Sequence, residues 1–192
     1  MSDLRLTRLA IKAILERASA HPWSLQGMGM FRLYLSKEVR LHVWDMRFTV
    51  EKVSTLHTHP WAFTSYVLSG LMTDRLLKKV DPSREPVTHY EQQIVCGPGG
   101  GTSAEKQPVH LEPLQVCTYG AGSSYTREAT DVHESVPKSG TVTIIERQFL
   151  PDTEHAYVYF RTDREWVSAE PREARKEEVE AMARMALDRW ES

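Results

Sequence analysis

Two histidines one residue apart, His57 and His59, are the residues of this sequence that are best placed to do chemistry. Alternate residues of a β-strand point to the same side of a sheet, so a strand over 56–59 projects both imidazoles into one space, with Cα atoms about 6.5–7 Å apart. Two neutral imidazoles are half of a metal site and need a third ligand from elsewhere in the chain. His133 is the third ligand that we favour. Three other histidines also lie near predicted strands: His42, His89 and His110. The structural alternative is a polar histidine pair at the mouth of a barrel.

The size and charge of the chain limit the classes of function. The length of 192 residues predicts a single domain over 1–192. Its 24 basic and 26 acidic residues give no electrostatic reason to expect nucleic acid or an anionic membrane as a partner. No apolar stretch approaches the length that spans a bilayer, and the N-terminus lacks the apolar segment of a signal peptide. Two distant cysteines, Cys96 and Cys117, favour a reduced, cytoplasmic setting.

The elements that must position the histidines follow from the periodicity of apolar residues. Apolar residues recur at three- and four-residue steps near the N-terminus, which predicts a helix within 1–22, and again near the C-terminus, which predicts a helix over 171–190. Between them, over 31–150, the period is mostly two and turn residues are frequent. The sequence therefore predicts a mainly β protein, an antiparallel barrel or jelly roll with a helix at each end.

The segment from His57 to Gly70 resembles the first motif of the cupin superfamily. That motif carries two histidines one residue apart, an acidic residue a few positions later, and a glycine seven residues after the acidic one. The second cupin motif is centred on a single histidine and resembles residues 122–133, with 141–149 as the strand that follows it. The resemblance implies a single cupin-type β-barrel with His133 as the third ligand.

One departure from the cupin motif limits the resemblance to a smaller group within the superfamily. The position of the acidic ligand, seven residues before Gly70, holds Phe63. The implied site of three histidines is similar to that of the cysteine dioxygenase group of thiol dioxygenases, which bind non-haem iron through three histidines. In that group an arginine well before the histidine pair anchors the substrate carboxylate, and Arg32 is the matching position. The Ser-His-Tyr network of that group has no clear counterpart, since its histidine position falls near Glu146.

A site of three neutral imidazoles has chemical consequences of its own. The ion keeps its full charge and has open coordination positions, which favours anionic co-ligands and a nearby arginine such as Arg32 or Arg147. Phe63 is expected beside the metal, in an apolar cavity that Val67 also lines. Glu146 is a candidate for a hydrogen bond to a ligand histidine or for direct ligation, and Tyr125 for a hydroxyl near the site.

Three functions are consistent with these residues. The leading one is a non-haem iron(II) dioxygenase that acts on a small anionic molecule. The second is a cupin that binds a metabolite without turnover, and the third is an isomerase or lyase that uses zinc, nickel or manganese as a Lewis acid. A homodimer is also an open alternative, because exposed barrel edges often pair.

Overall fold

The structure is a computed structural model that describes residues 2–81, 83, 86–94, 102–150, 155–165, 167 and 170–190. Cys96, one of the two cysteines from which a reduced setting is expected, lies outside these residues. Two α-helices lie at the ends of the chain, α1 (Ser2–Glu16) and α2 (Lys176–Trp190), and a 3-10 turn (Ala18–Ala20) follows α1. The strands are β1 (Ser24–Gln26), β2 (Met28–Tyr34), β3 (Val39–Thr49), β4 (Leu56–His57), β5 (Ala62–Ser69), β6 (Leu71–Val80), β7 (His89–Ile94), β8 (Thr102–Gly120), β9 (Ser124–Arg127), β10 (Val132–Pro137), β11 (Val142–Gln148), β12 (Ala156–Arg161) and β13 (Arg172–Glu173).

The strands form two antiparallel layers. One is a seven-stranded sheet in the order β13-β1-β2-β3-β11-β5-β9, and the other is a closed six-stranded barrel in the order β10-β4-β12-β7-β8-β6. The predicted fold class, an antiparallel β-barrel with a helix at each end, is confirmed. Strands also form on both sides of the predicted 31–150 stretch, since β1, the first three residues of β2, β12 and β13 lie outside it. The C-terminal helix begins at Lys176, five residues later than predicted.

Both helices cover one face of the seven-stranded sheet. Apolar residues of α1 and α2, such as Leu15 and Met182, pack against Leu41 and Val43 of β3 and Val142 of β11. Alternation along a strand turns the neighbouring residues of β3 and β11 toward the barrel, so the two central strands are buried on both faces. The helix layer therefore fixes which residues of these strands face inward, where the histidines lie.

The glycine of the first motif has a structural reason to be there. Gly70 joins β5 of the sheet to β6 of the barrel and has a φ of 79°. A Cβ at this position would lie 2.8 Å from the Cα atom of Thr141, closer than packed atoms approach. Only glycine satisfies both the left-handed backbone and this close approach, and the chain can therefore cross directly from one layer to the other.

No helix in the described part of the chain is long and apolar enough to cross a membrane.

Candidate metal centre

Strand pairing brings the three predicted ligands together. His57 of β4 lies directly opposite His133 of β10 in the antiparallel register. The ligand nitrogens of His57, His59 and His133 all lie within 4.8 Å of one another. The Nε2 atoms of His59 and His133 are 3.2 Å apart. Two imidazole nitrogens that bind one ion side by side are expected about 3.0–3.4 Å apart, so this pair already has the spacing of metal ligands.

The residue between the two histidines holds their backbone. Thr58 is buried; its N–H donates to the carbonyl of Tyr157 on β12, and its Oγ1 accepts from the Tyr157 N–H. Because the Thr58 side chain points toward β12, alternation turns the side chains of His57 and His59 to the opposite side. The strand itself ends at His57, earlier than the predicted 56–59, since the His59 N–H donates to Ala129 and Pro60 has no N–H to extend the pairing.

The other candidate histidines lie elsewhere. The Nδ1 atoms of His89 and His110 make hydrogen bonds to Thr88 and to the carbonyl of Pro86, respectively. His42 lies on β3 of the facing sheet and is not part of the cluster. Within the described residues, His133 is thus the histidine that joins the pair.

Burial keeps the imidazoles of His57 and His59 neutral. Desolvation, followed by the charge of His133, lowers the pKa of His57 to about 3. Desolvation, followed by the charges of His57 and His133, also lowers the pKa of His59 well below its ordinary value. The Nδ1 of His57 lies 2.8 Å from the carbonyl oxygen of Thr55 and can donate a hydrogen there only as the Nδ1–H tautomer, which leaves Nε2 as the lone-pair donor. Neutral imidazole is the form that binds metals.

An aspartate that the sequence analysis missed orients the third ligand. Asp74 of β6 is fully buried; its Oδ1 lies 3.0 Å from Nδ1 of His133, and its Oδ2 accepts a hydrogen bond of 2.8 Å from Nε of Arg127. Burial alone would raise the pKa of Asp74, but the hydrogen bonds and charges of His133 and Arg127 outweigh it and lower the pKa. The carboxylate thus fixes the His133 tautomer with Nε2 toward the other histidines.

The sequence does contain a signal for this aspartate. Met72, two residues before Asp74 on the same strand, is a buried core residue. Alternation therefore places the Asp74 side chain on the buried face, where a carboxylate requires a partner.

The role of Asp74 is testable by substitution. Asp74→Asn removes the charge but keeps the shape, and we expect the affinity for Zn²⁺ or Co²⁺ to fall by about 10–100-fold. Competition with a chromophoric chelator measures the affinity. Asp163→Asn, at an exposed ion pair with Arg161, is the matched control and should leave the affinity unchanged. Equal affinity for Asp74→Asn and wild type would mean that the strand register alone orients His133.

Phe63 lies where the cupin acidic ligand would be. Its ring is buried 5.2 Å from the ring of His59 and 5.5 Å from that of His133, and it belongs to the same apolar cluster as Val67. Tyr125 lies behind it, with ring centroids 6.2 Å apart. Burial, followed by the charge of Asp74, raises the pKa of Tyr125 to about 12, so its hydroxyl stays protonated.

The two predicted arginines line the sheet that faces the histidines. Arg147 is buried, with its guanidinium 4.9 Å from the ring of Trp61, which in turn stacks on His59 at 5.3 Å. Arg32 is half-buried; its Nε donates to Ser24 at 3.2 Å. Sequence reasoning missed a third arginine, Arg40, which is also buried and lies 4.7 Å from the Trp61 ring.

The structure does not bring Glu146 to the site. Its side chain is exposed on the outer face of β11 and accepts a hydrogen bond of 3.4 Å from the hydroxyl of Tyr66. The neighbours Ile145 and Arg147 face inward and are buried, and alternation along the strand necessarily turns Glu146 outward. Neither ligation nor a hydrogen bond to a ligand histidine is therefore possible for this residue in the present register.

No protein-family model matches the chain, and no curated protein shows significant similarity to it. The site is therefore interpreted from its own geometry. A buried group of three histidines in a β-barrel protein could hold a divalent metal, and the barrel is compatible with a cupin-like fold.

Proposed function

We propose that this protein is a cupin that binds Fe(II) through His57, His59 and His133 and acts as a dioxygenase on a small anionic substrate. The observation that carries the proposal is the convergence of three histidines beside Phe63, with no carboxylate of the described residues in the ligand group. Iron at such a site would supply open coordination positions and one-electron chemistry with dioxygen.

The charges around the site support an anionic substrate. Three imidazole ligands do not reduce the charge of a divalent ion, whereas the usual iron site includes one carboxylate. The guanidiniums of the buried residues Arg40 and Arg147 both lie over the Trp61 ring, which stacks on His59. Positive charge from the protein thus adds to that of the ion, and this field attracts anions and disfavours cations.

The residues of the chain have distinct tasks in this proposal. Asp74 holds His133 in one tautomer, so that the ligand geometry is set before the substrate arrives. Phe63, Trp61 and Val67 form an apolar wall that excludes water from the reacting groups and blocks a fourth protein ligand. Arg147 orients the anionic end of the substrate relative to the histidines.

Metal analysis followed by oxygen uptake tests the proposal. The protein is purified without chelators, its metal content is determined, and it is then reconstituted anaerobically with Fe(II) or with Zn(II). We expect one metal per chain, and oxygen consumption by the Fe(II) protein with some member of a panel of small thiols, thiol carboxylates and diketones. The Zn(II) protein is the control, because zinc has no redox chemistry and should consume no oxygen.

Two outcomes would contradict the proposal. A protein that binds none of the tested metal ions stoichiometrically has no such metal centre. A chain that binds one Fe(II) but consumes no oxygen across the panel, and that instead turns over a substrate equally well with Zn(II), is a Lewis-acid enzyme and not a dioxygenase.

A further inference from the structure

A row of buried polar atoms lies on the inner face of the seven-stranded sheet. The Nε2 of His42, the Nε1 of Trp44 and the Oγ1 of Thr143 are each buried and have no hydrogen-bond partner among the described residues. The three side chains are 7, 4 and 0% exposed. Thr143 of β11 is the direct cross-strand neighbour of His42 on β3, and the rings of His42 and Trp44 are 6.2 Å apart. Buried polar groups in proteins are nearly always paired, so three neighbouring exceptions indicate a ligand position.

Three guanidiniums lie toward one end of this row, at the side of Tyr34. Arg40 precedes His42 by two residues on β3, Arg32 is the cross-strand neighbour of His42 on β2, and Arg147 lies on β11. All three lie over the ring of Tyr34, at 4.7, 5.2 and 5.5 Å from its centroid for Arg40, Arg32 and Arg147, respectively. Burial, followed by the charges of Arg40, Arg32 and Arg147, lowers the pKa of His42 well below its ordinary value, so the imidazole is neutral in a strongly positive surrounding.

The row is continuous with the metal centre. The ring of Trp61 stacks on His59, and the guanidiniums of Arg40 and Arg147 lie over the same ring at 4.7 and 4.9 Å from its centroid. Trp44 belongs to the same apolar cluster as Trp61 and Phe63. The histidines and the row therefore border the same aromatic cluster.

The donors of the row select the chemistry of the occupant. An indole N–H only donates, a threonine hydroxyl can donate, and a neutral imidazole donates from Nε2 in one tautomer. An occupant that satisfies them must offer several acceptor oxygens in one place. Because the charges of three nearby guanidiniums act on this row, an occupant with negative charge is favoured over a neutral carbonyl group.

We propose that His42, Trp44 and Thr143, with Arg40 and Arg147 at the Tyr34 end of the row, form an oxyanion subsite that binds one end of the substrate while the other end reaches the metal centre. The part of this inference that concerns the metal centre rests on the proposed function, since the metal must be present for the other end of the substrate to bind. It identifies the substrate class as a small dianion, with two separate oxyanion groups joined by a short carbon chain.

Calorimetric titration of simple anions tests the subsite. The probes are glutarate, with two carboxylates, butyrate, with one, and inorganic phosphate, titrated into the metal-free and the Zn(II)-loaded protein. We expect glutarate to bind the Zn(II) protein at least about tenfold more tightly than butyrate, because a hydrogen-bonded charged group contributes about that much. Inorganic phosphate should bind the metal-free protein as well, since the subsite does not include the ion.

Substitutions that keep shape connect this binding to the row. Thr143→Val and Trp44→Phe each remove one polar group and should weaken glutarate binding to the Zn(II) protein by about tenfold. Thr73→Val is the matched control, because Thr73 on β6 has only an outward hydrogen bond to Thr118 among the described residues and should bind glutarate like the wild type. The Zn²⁺ affinity of all three variants should equal that of the wild type.

The outcomes separate this inference from the proposed function. Equal binding of glutarate and butyrate, or unchanged glutarate binding in both row variants, would overturn the subsite while metal binding stands. Phosphate binding to a chain that binds no metal would support the subsite and refute the metal centre. Preference for phosphate over glutarate supports a phosphoryl end, and the reverse preference a carboxylate end. Absence of binding by all three probes would overturn the subsite.

Discussion

Replacing His59 with alanine is expected to abolish stoichiometric metal binding and to leave the barrel folded. His59 supplies one of three ligand nitrogens, and a site with two imidazoles loses more affinity than the about 10–100-fold expected when only the orientation of a ligand is disturbed. The fold should survive because His59 makes no ion pair with a described residue: its side chain contacts the two other histidines and the rings of Trp61 and Phe63. His57→Ala should have the same effect on the metal.

Metal content after dialysis against metal-free buffer, together with circular dichroism and thermal unfolding, measures both parts of this prediction. His89→Ala is the control, since His89 lies on β7 and contacts Thr88. His133→Ala is a poorer test, because it would leave the buried carboxylate of Asp74 with one partner fewer and could unfold the barrel. A His59→Ala protein that keeps one equivalent of metal would place the ion somewhere other than this cluster.

The local parts of the fold and site were predictable from the sequence. The period of two between two helical ends predicts the antiparallel β protein, and His57, His59 and Gly70 lie within 14 residues of one another, so their spacing is visible in the chain. The structure places His133, the predicted third ligand, in the same group as His57 and His59. It was predicted from the resemblance of residues 122–133 to the second cupin motif, which is centred on a single histidine.

Two features that depend on pairing between distant strands were not predicted. Asp74 and His133 are 59 residues apart and meet through the register of β6 and β10. The row of His42 and Thr143 likewise depends on the register of β3 and β11. No local pattern specifies such a register, because it is set by the packing of the whole barrel.

The position of Glu146 shows a second limit of reasoning from periodicity. Val142 and Thr143 of β11 are both fully buried, one under the helices and the other facing the barrel. A strand that is covered on both faces has no alternation of polar and apolar residues from which to deduce the inward side. The sequence therefore could not show that Arg147 faces the site and Glu146 the solvent, although the two are adjacent.

Phe63→Glu is expected to convert the three-histidine site into a four-ligand site. The Phe63 ring lies 5.2 Å from that of His59 and 5.5 Å from that of His133, so a carboxylate on the same Cβ reaches the ion that the histidines hold. A charged oxygen ligand adds Coulombic attraction that three neutral imidazoles lack, and we expect the affinity for Fe(II) to rise by at least about tenfold. Without metal the buried carboxylate lacks a cation, so the metal-free variant should be less stable than the wild type.

The same substitution should suppress turnover, since the carboxylate occupies a position that the proposed reaction requires and reduces the positive charge that attracts the anionic substrate. Chelator competition, thermal unfolding with and without metal, and oxygen uptake measure the three effects separately. Phe63→Leu is the matched control: it keeps the apolar wall, offers no ligand, and should leave metal affinity close to that of the wild type. If Phe63→Glu binds metal no more tightly than Phe63→Leu, Phe63 does not border an open coordination position. The absence of a carboxylate ligand would then have no bearing on the chemistry of the site. The proposed dioxygenase activity would lose its main physical support.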